Sequence, residues 1–228
     1  MTEKELSIII PSYQKGEWVV KTIEKIKNKF PVAEIIIVND ASTDDTKKIK
    51  DIFKNEIVYL ENETNRGKGY SLKKGILEAR GKYLIFTDAD LPYGTEGIKK
   101  IYEELKKGQL VAIGERQKFY SDSFYKKAMR PFLYLILKAL FGFDYKDTQA
   151  GVKGFERKVG QEIMRKTISE GFAIDVEILY LVKILNYRVS AVPVEQENFS
   201  PSTFNLKNIL CFFKDLFKIK KHHKANHV

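Results

Sequence analysis

The chain has 228 residues, 43% of them hydrophobic, which suits one sizeable domain with a real core. A formal charge of +10 points to anionic partners: phosphates, nucleic acid or an acidic membrane surface. The single cysteine, Cys211, excludes an intrachain disulfide and a cysteine-based metal cluster, and a reducing cytoplasm is the expected compartment.

The N-terminus is charged and runs straight into a strand, so no signal peptide is expected. Five short Ile/Val-rich runs follow: Leu6–Ile10, Glu34–Asn39, Ile57–Leu60, Tyr83–Thr87 and Leu110–Gly114. They lack polar alternation, as strands covered on both faces do. Helical patterns separate them, at Glu17–Lys29, Thr43–Phe53, Gly69–Arg80 and Thr95–Lys107. Ser42 or Thr43 can cap the second of these, with Asp44 and Asp45 favouring its dipole. Repeated strand–helix units predict an α/β fold with a mostly parallel sheet flanked by helices, binding ligands beyond the carboxyl ends of its strands.

The second half changes character. Ser121–Phe143 reads as a long aromatic-rich helix carrying Lys126, Lys127, Arg130 and Lys138. Its most apolar part, Phe132–Phe143, falls short of the roughly 20 residues needed to cross a bilayer. Asp144–Phe155 reads as a loop, followed by helices near Glu156–Thr167 and Ile174–Leu185 and a strand in "RVSAVPVE". Asn205–Lys221 places Leu206, Ile209, Leu210, Phe213, Leu216 and Phe217 at helical spacing beside a lysine stripe. The final "HHKANHV" is expected to be a mobile tail, and Trp18 to be core.

Chemistry concentrates at the strand ends. Asp88 and Asp90 stop an apolar run, and at spacing i, i+2 an extended chain puts both carboxylates on one face. Their repulsion is offset by a bound Mg²⁺ or Mn²⁺, or by water if the segment is only an acidic turn. Asp40 leaves the second strand at its tip, where it can accept an imide N–H from a uracil or guanine ring or make an Asx turn. In "NRGKG", Asn65–Gly69, the glycines let backbone N–H groups approach a phosphate and Lys68 adds charge; a plain glycine turn is the alternative.

Taken together, "SIIIPSYQKGE", "IIIVNDASTDDT", "NRGKG" and "FTDAD" resemble, in order, the inverting glycosyltransferases of family 2 with the GT-A fold. "GER" (Gly114–Arg116), "DTQAGVKGF" (Asp147–Phe155) and "FAIDVEILYL" (Phe172–Leu181) are similar to the dolichyl-phosphate β-glucosyltransferases, with the dolichyl-phosphate mannosyltransferases as next relatives. The resemblance implies a catalytic domain over residues 1–204 and an amphipathic basic helix and tail over 205–228. It implies transfer of a hexose from a nucleoside diphosphate sugar, UDP-glucose ahead of GDP-mannose, to a polyprenyl monophosphate. The metal would sit on Asp88 and Asp90. Donor contacts would come from Pro11, Tyr13, Glu17, Asp40, Asn65, Gly67, Lys68, Asp88, Ala89, Asp90 and Gln149. Asp90, Arg116, Arg130 and Asp175 would form the catalytic set, the two arginines near the acceptor phosphate. Asp147 and Gln149 would shape the donor pocket or order the acceptor loop, and Asp175 and Glu177 would stabilise a helix start or line the sugar pocket.

Three departures stand out. Asn39 replaces an aspartate, Ala150 a cysteine, and Pro92 a glutamine that in some relatives can join the metal shell. A lipid acceptor implies peripheral attachment to the cytoplasmic face of a membrane, through Ser121–Phe143 and Asn205–Lys221, with core packing of their aromatics and solvation of their lysines as the alternative. A soluble saccharide acceptor is the alternative within the fold. A basic nucleic-acid-binding module would explain the charge but not the acidic strand ends.

Overall fold

A computed structural model describes residues 4–117, 124–143, 145, 147–197 and 206–225, with backbone alone over 124–130 and 206–210. The first half runs β1 (Leu6–Ser12), α1 (Gly16–Lys29), β2 (Glu34–Asn39), α2 (Ile49–Phe53), β3 (Val58–Glu61), α3 (Lys68–Glu78), β4 (Tyr83–Thr87) and α4 (Gly94–Lys106). The second runs β5 (Val111–Arg116), α5 (Phe124–Phe141), β6 (Val152–Glu156), α6 (Arg157–Lys166), α7 (Ile174–Ile184), β7 (Val189–Val194) and α8 (Leu206–Ala225).

The strands form one sheet in the order β3-β2-β1-β4-β6-β5-β7. Alternate residues of the apolar runs feed opposite faces. Ile8, Ile10, Ile35 and Ile37 pack with α1 and α4, through Val19, Ile23, Ile98 and Ile101. Ile9, Ile36 and Val38 pack with α3, α6, α7 and α8. This two-sided burial is why the runs show no polar alternation. β3 is the exception: it forms the sheet edge, and Val58 is exposed.

β6 falls in the stretch expected to be a loop, and it runs antiparallel to both β4 and β5. A reversed strand begins where its neighbours end, as Thr87 opposite Val152 shows. The segment Asp147–Gly151 is thereby delivered to the sheet edge where β4 releases Asp88.

Other expectations are corrected. Asp44, not Ser42 or Thr43, caps the turn before α2, accepting from Thr46 N at 3.1 Å and from Gly16 N at 3.0 Å. Ser42 and Thr43 instead receive hydrogen bonds from Gln14. Trp18 is 39% exposed, outside the core. α8 runs on to Ala225, and the side that packs inward carries Phe212, Leu216, Ile219 and His223. His223, expected in a mobile tail, is buried with Nε2 2.7 Å from Glu177 Oε1. The same Glu177 carboxylate accepts from Ile168 N and Ser169 N at 2.9 and 2.7 Å.

Candidate active site

β4 ends in a tight turn that presents the carboxylate pair. Leu91 N donates to Asp88 O at 3.0 Å and Gly94 N to Leu91 O at 3.1 Å, with Leu91 at φ +47°. Thr22 of α1 donates its hydroxyl to Ala89 O at 2.9 Å and pins the turn. Lys68 Nζ approaches Asp88 Oδ1 at 2.9 Å. Gly151 lies against the other oxygen, where a Cβ would stand 1.9 Å from Asp88 Oδ2.

Behind Asp88 is a line of alternating charge. Lys68 Nζ also contacts Asp175 Oδ2 at 3.1 Å, and Asp175 Oδ1 contacts Lys153 Nζ at 2.5 Å. Both ammonium groups lie near the Phe86 ring, at 5.9 and 5.5 Å from its centroid. Burial works against the charge on Lys68, but Asp175 and Asp88 outweigh it and raise its pKa. Burial likewise opposes ionised Asp175, and the two lysines outweigh it and lower its pKa. At Asp88 burial wins over Lys68, helped by the charges of Asp175 and Asp90, and the pKa rises. Asp88 keeps 36% of its side chain open, and that water access moderates the rise.

With Asp90 the cluster has three carboxylates against two ammonium groups, an excess of one negative charge. Hard oxygen donors, a half-buried carboxylate and surplus negative charge fit Mg²⁺ or Mn²⁺, which take one or two carboxylates and leave the other positions to water and phosphate. Among the described residues, no third His, Cys, Asp or Glu completes a cluster around the pair.

Asp40 is buried, and it organises the next loop rather than the start of its own helix. It accepts from Asn62 Nδ2 at 2.8 Å, Arg66 N at 2.9 Å and Gly67 N at 2.7 Å. Gly69 N and Tyr70 N donate to Glu170 O at 2.7 and 3.2 Å. Within "NRGKG" the N–H groups of Arg66, Gly67 and Gly69 are thus engaged inside the protein, as in the plain glycine turn that was the alternative to a phosphate cradle. Its glycines serve close approach: Gly67 sits at φ +97°, and a Cβ there would stand 2.6 Å from Glu170 O. What the loop contributes to the site is the Lys68 ammonium.

The other strand ends complete the rim. Tyr13, Glu17, Asn65 and Gln149 are exposed, and Pro11 is half-buried. Arg116, at the end of β5, is clamped by Asp147 through Nε–Oδ2 at 2.5 Å and Nη2–Oδ1 at 2.7 Å. Burial opposes ionised Asp147, but Arg116 and the Gln149 N–H outweigh it and lower its pKa. Arg130 lies in the backbone-only part of α5, so its expected role falls outside the described side chains.

Two participants lie outside the sequence-derived set. Burial pushes the Tyr93 phenol up to about 12; the charges of Arg116, Asp147 and Asp88 reach it, and it hydrogen-bonds to the Gly151 backbone. Lys153 is wholly buried. Its signal was a lysine between the apolar Val152 and Phe155 in "GVKGF", matched by acids inside the apolar run "FAIDVEILYL".

Comparison with known proteins adds four findings. The model for glycosyl transferase family 2 matches residues 7–170. A dolichyl-phosphate beta-glucosyltransferase of Dictyostelium discoideum is 31% identical over 246 residues, covering 94% of this chain and 73% of that protein. One from Saccharomyces cerevisiae is 31% identical over 219 residues, covering 83% of this chain and 66% of that protein. Among solved structures, glucosyl-3-phosphoglycerate synthase from Mycobacterium tuberculosis, in complex with Mn²⁺, UDP and glucosyl-3-phosphoglycerate, superposes with a TM-score of 0.72 at 15% identity. That match covers 95% of this chain and 78% of the other, and it shows a shared fold.

Proposed function

The chain belongs to glycosyl transferase family 2, and on that premise we propose that it moves glucose from UDP-glucose, with inversion, onto a polyprenyl (dolichyl-type) monophosphate at a membrane surface. The observation that carries this reading is the likeness to dolichyl-phosphate beta-glucosyltransferases, which continues past residue 170 over 94% of the chain.

Asp88 and Asp90 would hold Mg²⁺ or Mn²⁺, which supplies positive charge where the leaving diphosphate gathers negative charge. Lys68 and Gly151 fix the Asp88 carboxylate before the donor arrives. The acceptor phosphate is anionic near neutral pH, so its oxygen attacks without a general base, and Asp175 is left to its lysines. Asp147 holds the Arg116 guanidinium in a fixed plane at the end of β5, the pre-organisation that suits phosphate binding. GDP-mannose as donor is the alternative the test must separate.

For the lipid, α5 exposes Phe132 and Leu135, and α8 exposes Phe217 beside Lys214, Lys218 and Lys221. This mixture of apolar and basic side chains suits the interface of an anionic membrane, and the cytoplasmic face is the side we assign. No helix among the described residues is long and apolar enough to cross a membrane.

The test incubates the purified protein and Mn²⁺ with labelled UDP-glucose or GDP-mannose, with and without a short polyprenyl phosphate. The expected result is an organic-extractable glucosyl lipid formed from UDP-glucose alone. Transfer that needs no lipid phosphate would replace this reading with one in which the acceptor is a soluble saccharide.

A further inference from the structure

A fully buried lysine is expensive, because the ammonium loses its water and the protein must replace it. Lys153 sits on β6 with its side chain wholly inside, near the Phe86 ring. Its Nζ has two polar contacts of different kinds. One is Asp175 Oδ1 at 2.5 Å; the other is the carbonyl of Ala150, which accepts at 2.8 Å.

Both contacts lead to Asp88. Asp175 gives its second oxygen to Lys68, whose ammonium forms one wall of the Asp88 slot. Ala150 immediately precedes Gly151, which forms the opposite wall. Asp175 also divides its charge between two lysines. Without Lys153, that whole charge would draw on Lys68 and weaken its hold on Asp88.

We propose that Lys153 is a positioning residue for the metal and diphosphate end of the site: one buried ammonium anchors both walls that hold Asp88. It acts through Asp175 and Ala150, and it touches neither metal nor substrate. The inference rests on the reading above that Asp88 serves a divalent cation.

The experiment compares the wild-type chain, Lys153→Met and the double variant Lys153→Met/Asp175→Asn. The double variant removes both buried charges together and so keeps the cluster's net charge, and it serves if the single variant does not fold. Mn²⁺ alone is titrated, with free Mn²⁺ followed by electron paramagnetic resonance, and KM is measured for donor and for polyprenyl phosphate. The expected result is a rise of about tenfold or more in the Mn²⁺ Kd of Lys153→Met, the scale of a lost supporting partner behind a metal ligand, and a smaller rise in the double variant, which loses the Ala150 anchor but frees Lys68 from the charge of Asp175. The KM for polyprenyl phosphate should stay within about twofold. A folded variant with reduced thermal stability and an unchanged Mn²⁺ Kd would overturn the proposal, since a purely structural lysine gives that outcome. A wild-type chain that binds no Mn²⁺ would remove the metal reading itself, and this inference with it.

Discussion

Asp40 and Asp147 are both buried carboxylates at the carboxyl edge of the sheet, and they are satisfied by different chemistry. Asp40, in the first half, accepts from two backbone N–H groups and an amide, all neutral. Asp147, in the second half, is locked to the Arg116 guanidinium. Neutral donors stabilise a carboxylate without cancelling its charge, whereas a guanidinium cancels it. The same division recurs nearby. In the first half Asp44 is held by Gly16 N and Thr46 N; in the second, Asp175 is held by two lysines. The first half therefore builds its edge from loops tied by backbone hydrogen bonds, and the second from paired charges. The Asp88–Asp90 turn, tied to α1 by Thr22, lies on the seam between them.

The largest expected effect comes at that seam. Asp90→Ala should lower transfer by about three orders of magnitude, the scale of a lost metal ligand, with circular dichroism unchanged. Turnover near the wild-type level with Mn²⁺ present would remove the pair from the reaction.

Asp147→Asn tests the charge-paired half. It leaves Arg116, four-fifths covered, without its carboxylate, and should cost about 3 kcal/mol in urea unfolding at pH 7. The pH dependence has a definite sign. The folded pKa of Asp147 lies below its unfolded value near 3.8, so its contribution is present above that value and is lost as pH falls through the folded pKa. The variant should therefore lose less stability than wild type on acidification below about pH 4. Parallel acid curves for the two proteins would mean that the pair contributes nothing.

The smallest effect concerns α8. Deleting this helix would strip Phe212, Leu216, Ile219 and His223 from the core, so a point substitution is the cleaner probe. Phe217 is 61% exposed, and Phe217→Ser should weaken binding to anionic vesicles about fivefold without moving the melting temperature. Unchanged vesicle binding would take this residue out of the membrane face.

The same contrast marks what could be read from the residues beforehand. The apolar runs of β1, β2 and β4, and the acids Asp40 and Asp88 that follow the last two, were legible because two-sided burial leaves a continuous apolar signature. β6 was not, because Lys153 and Gly154 interrupt its apolar pattern and nothing in five residues records strand direction. Which side of α8 packs inward was not legible, because its apolar residues extend from the buried Phe212, Leu216 and Ile219 to the exposed Phe217. The buried side is set by partners such as Glu177, 46 residues away. The "NRGKG" loop has the composition of a phosphate cradle, yet its Arg66, Gly67 and Gly69 donors are spent on Asp40 and on Glu170, whose carbonyl is supplied by a distant segment.

β6 lies between β4 and β5 in the sheet but follows both in the chain. In time, then, the quartet β3-β2-β1-β4 can assemble from consecutive sequence, while β5 must wait for residues 152–156 before it joins. Pulsed hydrogen exchange during refolding is expected to protect the amides of Ile35–Ile37 before those of 111–116, and simultaneous protection would show that the sheet closes as one unit. On this order of assembly, the strand bearing Asp88 is in place before Gly151 arrives, and the last seam to close is the one that makes the protein an enzyme.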